Sequence, residues 1–527
     1  MFGIYKWILP GEIRRGEEIV RRGFSAFVSG LALLSSSGCP GGGDSTPPSD
    51  TPQPVPSMVQ QAYIKPSDPN SRLYFGNSVA FSGDTLVVGA PADDVSPFIA
   101  QAVYVFTRTG DTWSQQARLS ASNPDSQDRF GFSVALDGVT LVVGAPGEDS
   151  SATGANGNQV DNSATDSGAV YVFTRTGTTW SQQAYIKASN TGAGDRFGWK
   201  VALAGDTLAV SAIDEDSNST GINGNQADNS TAQSGAVYVF TRTGTTWNQQ
   251  AYIKASNPDM LDVFGIGLAL DGDGNTLAVG AVGEDSLATG IDGNQGNAVP
   301  PDELDLYLAG AVYTFTRSNG FWTQEAYIKA SNTGRTQDAF GHAVALSGDG
   351  NTLAVGAPNE ESNATGVNGN QADNSVPRSG AVYVFTRGNG VWTQQAYVKA
   401  SNPDFEDSFG TSVALDIDGN TLVVGAPGED SSASGVDGNQ AINSTPGGSG
   451  AVYVLTRTGT TWSQRSYLKA SHTDLSDGDG LGASVAVLGN TVVAGSILED
   501  SDATSVNGDQ INNNSPNRGA AYVYVTQ

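Results

Sequence analysis

Cysteine and histidine are almost missing from this chain: one cysteine and two histidines in 527 residues. A lone Cys39 excludes an intramolecular disulfide and a thiolate metal cluster. His342 and His472 have no metal-ligand spacing between them. Basic residues are also scarce, 26 Lys and Arg against 54 Asp and Glu, a formal charge of -28. That balance argues against nucleic-acid binding, which draws on Lys and Arg to neutralise phosphates and release counterions. An acidic surface suits metal cations, or simply solubility. No long segment of 3.6-residue periodicity follows residue 60, and neither a phosphate loop nor a dinucleotide fingerprint is present.

What is present falls into three parts. Arg14, Arg15, Arg21 and Arg22 precede the apolar run "FSAFVSGLALL" (24 to 34), and "SSSG" leads to Cys39. Basic, then apolar, then small is the order of a secretory signal, and the run is too short to span a bilayer. The segment resembles a bacterial lipoprotein signal, in which the cysteine becomes the lipidated first residue. Ser36 departs from the usual leucine, and the other reading is an ordinary cleaved signal with an incidental cysteine. Residues 1–38 are thus expected to be a leader. Residues 39–57, "CPGGGDSTPPSDTPQPVPS", have no aromatic residue and one valine, and are expected to be a flexible tether. The remainder, 58–527, repeats one phrase.

Phe-Gly stands at Phe75, Phe130, Phe197, Phe264, Phe340 and Phe409, with Leu481-Gly482 as the seventh copy. Each unit carries four runs of strand character, typified by "SVAL", "TLVVGAP", "GAVYVFTR" and "WSQQAYIKAS", rich in Val, Tyr, Phe, Thr and Ile and bounded by Gly, Asn or Asp. Four short antiparallel strands repeated seven times predict an all-β, seven-bladed propeller of four-stranded blades. "QQAYIK" (60 to 65) is a fourth strand without its first three, while the last unit stops after its third, "GAAYVYV" (519 to 525). The N-terminal strand should therefore complete the last blade and remove an open sheet edge. Trp113, Trp180, Trp247, Trp322, Trp392 and Trp462 begin the fourth strands and are expected to cover apolar surface, Met58 taking that place in the first copy.

The pattern Phe-Gly, apolar strand, Gly-Ala-Pro, "GAVYVFTR", "W.QQAYIKAS" resembles the FG-GAP repeat of the integrin α-subunit propeller and of bacterial surface proteins. The resemblance spans about residues 60 to 527 and implies a propeller that binds protein or matrix partners.

Because strand direction alternates, the loops joining strands 2 to 3 and 4 to 1 must open on one face. The 2–3 loops are long and repeated, with acidic pairs at Glu148 and Asp149, Asp216, Glu284 and Asp285, Glu360, Glu429 and Asp430, and Glu499 and Asp500. An aspartate precedes Phe-Gly by two residues at Asp128, Asp195, Asp262, Asp338, Asp407 and Asp479. Such oxygens suit calcium, and equally they hold turns by bonding nearby backbone. On the other face, Asp271, Asp273 and Asn275, and Asp416, Asp418 and Asn420, resemble the start of the integrin calcium loop. Thr276 and Thr421 follow at once where that loop runs longer, and the same residues suit a tight hairpin without metal.

Paired carboxylates recur in every unit, and identical copies point to structure, since an active site normally occurs once per chain; no enzymatic activity is expected. One position differs in every copy, the residue after Phe-Gly: Asn77, Phe132, Trp199, Ile266, His342, Thr411 and Ala483. Phe132, Trp199 and His342 are the candidate ligand contacts there. The expected role is a secreted, lipid-anchored surface binding or adhesion module, attached to the outer membrane only through Cys39, with a protein or glycan ligand. The alternative is a carbohydrate-binding or carbohydrate-active propeller, which requires a unique pocket with aromatic rings and two spaced carboxylates.

Overall fold

Valine, tyrosine and phenylalanine between glycines make strands here because β-branched and aromatic side chains pack on a pleated surface while glycine permits the turns. A computed structural model describes residues 57–70, 72–92, 101–296, 308–332, 337–441, 448–473 and 478–527. The leader, Cys39 and the tether up to residue 56 lie outside the described residues. Met58–Gln527 form one compact unit.

Seven sheets of four antiparallel strands make up this unit, and no helix occurs among the described residues. Blade 1 comprises Ser78–Ser82, Thr85–Ala90, Ala102–Thr109 and Thr112–Leu119. Blade 2 comprises Ser133–Asp137, Thr140–Ala145, Ala169–Thr176 and Thr179–Ile186. Blade 3 comprises Phe197–Ala204, Thr207–Ala212, Ala236–Thr243 and Thr246–Ile253. Blade 4 comprises Gly267–Leu270, Thr276–Ala281, Ala311–Ser318 and Phe321–Ile328. Blade 5 comprises Ala343–Leu346, Thr352–Ala357, Ala381–Gly388 and Val391–Val398, and blade 6 comprises Ser412–Leu415, Thr421–Ala426, Ala451–Thr458 and Thr461–Leu468. Blade 7 comprises Leu481–Leu488, Thr491–Ser496 and Ala520–Thr526, completed by Met58–Ile64 from the other end of the chain.

That last pairing is the closure anticipated from the strand inventory. Met58 lies opposite Thr526, Val59 opposite Val525 and Tyr63 opposite Tyr522, with a bulge between Gln60 and Ala62. Beyond the strand, the buried Arg518 donates from Nη2 to the carbonyl of Pro66 (3.3 Å). The ring continues into blade 1 through Ser484, whose Oγ donates to the Gly76 carbonyl (2.7 Å), as Ser78 does to Gly131 and Ser133 to Gly198 (2.9 Å each). Each blade's apolar residues pack against those of its neighbour, so the hydrophobic clusters straddle the seams; one joins Val382 and Val398 of blade 5 to Leu422 and Tyr453 of blade 6.

The two signature glycines meet at these seams. A Cβ on Gly144 of blade 2 would lie 2.1 Å from the Gly198 carbonyl oxygen of blade 3, and Gly198 itself has φ +94°. Only glycine permits both the approach and the backbone angle. On the face away from the long loops, tryptophans tie the blades together as the packing reading requires. Trp180 Nε1 donates to Gln116 Oε1 of the preceding blade (3.0 Å), and the Arg175 guanidinium stands 5.3 Å from the Trp180 ring centroid while reaching Thr85 Oγ1 (2.9 Å). Met58 is buried at the equivalent place.

Candidate functional site

The long 2–3 loops and the 4–1 loops do share a face. Asn123, between blades 1 and 2, donates from Nδ2 to Glu148 Oε1 (3.1 Å) and to the Gln159 carbonyl (2.9 Å) of the blade 2 loop. The loop then folds over the blade's outer edge: Asn156 N–H donates to the Tyr185 carbonyl (2.7 Å), and Asn156 Oδ1 accepts from Tyr185 N–H (3.1 Å). These bonds occupy part of an otherwise unpaired fourth strand. The same exchange recurs at Asn223 with Tyr252, Asp292 with Tyr327 and Asn368 with Tyr397.

The loop glutamates lie beneath this rim, not on it. Glu148, Glu284, Glu360 and Glu429 are each buried and ion-paired to a buried lysine of the fourth strand: Lys187 (2.8 Å), Lys329 (2.6 Å), Lys399 (2.8 Å) and Lys469 (2.6 Å). Glu215 pairs with Lys254 (2.9 Å) in the same register, and Glu499 with Lys65 across the ring closure. Tyr185 and Tyr252 hydroxyls donate to Glu148 and Glu215 (2.7 and 2.8 Å). Burial pushes every one of these lysines down, and the paired glutamate pulls the other way. A buried carboxylate requires such partners, and this network accounts for the glutamates without an ion.

The neighbouring aspartates hold turns. Asp149, Asp216 and Asp500 accept, through Oδ1, the N–H groups of Asp166 (2.8 Å), Gln233 (2.8 Å) and Asn517 (2.6 Å). Those three residues have φ of 52°, 57° and 53°, a left-handed backbone that is uncommon outside glycine. The aspartates before Phe-Gly act similarly. Asp128, Asp195, Asp262 and Asp407 accept from the backbone N–H three residues earlier, at 2.9, 2.7, 2.8 and 2.7 Å. Asp338 and Asp479 are buried at the same position.

Burial pushes the carboxyls of Asp128 and Asp195 up to about 7, Asp407 to about 8 and Asp285 to about 6. Burial likewise raises Asp262 and Asp430. Two buried carboxylate oxygens, Asp285 Oδ2 and Asp407 Oδ1, accept no hydrogen bond, which is the donor chemistry a hard cation takes. No cluster of three or more His, Cys, Asp or Glu side chains suited to a metal occurs among the described residues.

The 1–2 hairpins offer less. Asp271 Oδ1 accepts from Asn275 and Thr276 N–H (2.8 and 2.9 Å), Asp273 and Asp418 each accept from the N–H two residues on, and Asp416 Oδ1 accepts from Gly489 N–H (3.0 Å). The Oδ1 atoms of Asn275 and Asn420 accept from the guanidinium Nε of Arg317 (2.9 Å) and Arg457 (3.0 Å). One oxygen of each of these residues is thus engaged in holding the hairpin, and a guanidinium stands beside each asparagine.

The seven differing residues gather at the start of the innermost strands. Asn77 Nδ2 donates to the Phe132 carbonyl in the next blade (2.8 Å). Trp199 is buried, its ring 4.6 Å from that of the half-buried Phe132, so it presents no free face to a ligand. His342 is half-buried; its Nδ1 has no hydrogen-bond partner. The structure therefore brings Phe132 and Trp199 together and leaves His342 in another sector.

The sequence pattern alone left the Glu–Lys–Tyr network unassigned, yet a signal existed. Blade 1 has a short loop without the glutamate register, and Arg118 and Ser120 stand there for the tyrosine and lysine, so the three are lost together.

Ring closure, alternating strands and glycine-lined seams define a seven-bladed β-propeller. Within that class, the family model described as "FG-GAP repeat" matches residues 58–106, 113–173, 180–240, 247–298, 322–385 and 392–455, and the chain belongs to this family. Blade 7, with Leu481 for phenylalanine and Ser496-Ile497 for Ala-Pro, contributes its N-terminal strand to the first matched stretch. No match is found among curated proteins. Among solved structures, the chain is similar to one titled "Crystal Structure of Mitotic Checkpoint Complex", at 11% identity and a TM-score of 0.43, over 88% of this chain and 96% of that one.

Proposed function

We propose that the protein is a non-enzymatic recognition module of the cell surface, exported by its leader, tethered through Cys39 and presenting the channel-mouth face to a protein ligand. The observation that carries this reading is the contrast between the rim and the mouth. The rim loops repeat the same internal bonds from blade to blade, which is the behaviour of scaffold. The residue after Phe-Gly differs in all seven copies, and specificity requires difference. Calcium at the rim, near the unpartnered oxygens of Asp285 and Asp407, would add rigidity to that scaffold.

The test is capture from envelope or host material on immobilised residues 58–527, repeated with Phe132→Ala and His342→Ala. A partner retained by the parent and lost by either variant supports the reading. Turnover of a polysaccharide, or glycan binding with no protein captured, replaces it with the carbohydrate alternative.

A further inference from the structure

On the face away from the long loops, the third strand of each of the first six blades carries an arginine near its end: Arg108, Arg175, Arg242, Arg317, Arg387 and Arg457. Every one of these guanidinium groups reaches back to a threonine of the preceding blade. In five of them, Nε also donates to the residue just before the blade's own second-strand threonine. Those acceptors are Asp84 (3.1 Å), Asp206 (2.7 Å), Asn275 (2.9 Å), Asn351 (3.1 Å) and Asn420 (3.0 Å). In blade 2 that place is held by Val139, whose side chain has no acceptor.

The consequence for Arg175 is an unfilled edge. In blade 1, Nε and Nη2 of Arg108 converge on a single Asp84 oxygen (3.1 and 3.0 Å). Arg175 keeps the other contacts of its position: Nη1 donates to Thr85 Oγ1 (2.9 Å), its N–H donates to the Val139 carbonyl (2.9 Å), and Cζ stands 5.3 Å from the Trp180 ring centroid. Among the described residues, no atom accepts a hydrogen bond from its Nε or Nη2. Arg175 lines an open cleft of about 430 Å³ between the hairpins of blades 1 and 2, together with Ser82, Asp84, Thr107, Arg108 and Val139. Val139 is 53% exposed there, so a ligand that covers it gains by burial. Thr85 and Trp180 hold the guanidinium in place before any ligand arrives, which reduces the ordering entropy that binding must overcome.

We propose that Arg175 and Val139 form a binding site for one acidic side chain on a peptide segment of a partner protein, its carboxylate taking the Nε–Nη2 edge that Asp84 fills in blade 1. A carboxylate matches two parallel N–H donors of a guanidinium. A peptide fits because the equivalent acceptor in blades 1 and 3 is itself an aspartate on a polypeptide turn, and Val139 offers cover to the residue beside it. With a net charge of -28, the molecule as a whole repels polyanions. The segment therefore carries one acidic residue among neutral ones, not an acidic run. This cleft faces away from the channel mouth, so the site stands independently of the recognition reading above.

The test uses the full-length protein labelled with ¹⁵N-arginine, the Arg175 Nε resonance being assigned by its loss in Arg175→Lys. N-acetyl-Ala-Asp-Ala-amide, added at constant ionic strength, should shift that resonance saturably and leave the Arg242 Nε resonance, whose edge Asp206 fills, in place. Val139→Asp copies blades 1 and 3 and should weaken the peptide about ten- to hundredfold, as expected for loss of a hydrogen bond to a charged group. Val139→Ala leaves the edge open and should retain binding within tenfold. Replacing the peptide's aspartate by asparagine should weaken it as Val139→Asp does. An unchanged response in Val139→Asp, equal shifts at Arg175 and Arg242, or no saturable shift at Arg175 overturns the site. Tighter binding of glucuronate than of the peptide overturns the assignment to a protein partner.

Discussion

Replacing Lys65 by methionine tests how the ring is held shut. Lys65 is buried, its ammonium pairs with Glu499, and Tyr63 shares the same carboxylate. Removing the lysine leaves a buried carboxylate with only hydroxyl support, a loss that costs about 3–5 kcal/mol when one partner of a buried pair is deleted. The same deletion at Lys254 in blade 3 breaks an equivalent pair with Glu215. The two differ in what the backbone does. In blade 3 a hairpin from Thr243 to Thr246 ties the fourth strand to its neighbour, whereas Met58–Ile64 is held to Ala520–Thr526 by non-covalent bonds alone. Lys65→Met should therefore raise the opening equilibrium of residues 58–64 by about a hundred- to a few thousandfold, at 1.4 kcal/mol per tenfold. Lys254→Met should leave that segment protected while lowering overall stability. Hydrogen exchange read on the peptide 58–64 in both variants decides the matter. Equal exchange in the two, or protection within tenfold of the parent in Lys65→Met, would refute the reasoning.

Other outcomes follow from the same geometry. Asp128, Asp195 and Asp407 have folded pKa values of about 7, 7 and 8, above the ordinary 3.8. The folded state therefore binds more protons than the unfolded one between pH 4 and 8, and these groups make stability rise as pH falls through 8 toward 5; Asp407→Asn should flatten that slope in chemical denaturation. Gly144→Ala would set a Cβ 2.1 Å from the Gly198 carbonyl and should cost about 1–3 kcal/mol as an overpacking change, while Ser211→Gly, which copies the other seams, should be tolerated. If calcium occupies the rim beside Asp285 and Asp407, it should raise the melting temperature more at pH 8 than at pH 5.5, because protons compete for those carboxylates; an unchanged melting temperature in chelator at both values counts against it.

The architecture was legible because its signals are local and repeated. Strand-forming runs, Phe-Gly and Gly-Ala-Pro recur in register, and the unmatched strand at each end of the chain specified the closure between Met58–Ile64 and Ala520–Thr526. The tryptophans and the turn-holding aspartates were legible for the same reason. The glutamates were harder, because an acidic residue in a Gly- and Ser-rich loop has the composition of open surface. Its burial depends on a lysine about forty residues away, as Glu148 and Lys187 show, or at the other end of the chain, as with Glu499 and Lys65. Trp199 was hidden for another reason: what covers it is Phe132, on a different blade, and inter-blade neighbours at the channel mouth follow from ring geometry, not from spacing.

The central claim is that the ring is closed by the two ends of the chain, with Val59 opposite Val525. Directly opposed antiparallel residues have Cα atoms about 4.5–5.5 Å apart, within the range a disulfide spans. In a chain carrying Cys39→Ser, mild oxidation of Val59→Cys with Val525→Cys should give near-complete intramolecular cross-linking in the native protein and little in denaturant. Two free thiols in the folded protein would contradict the closure.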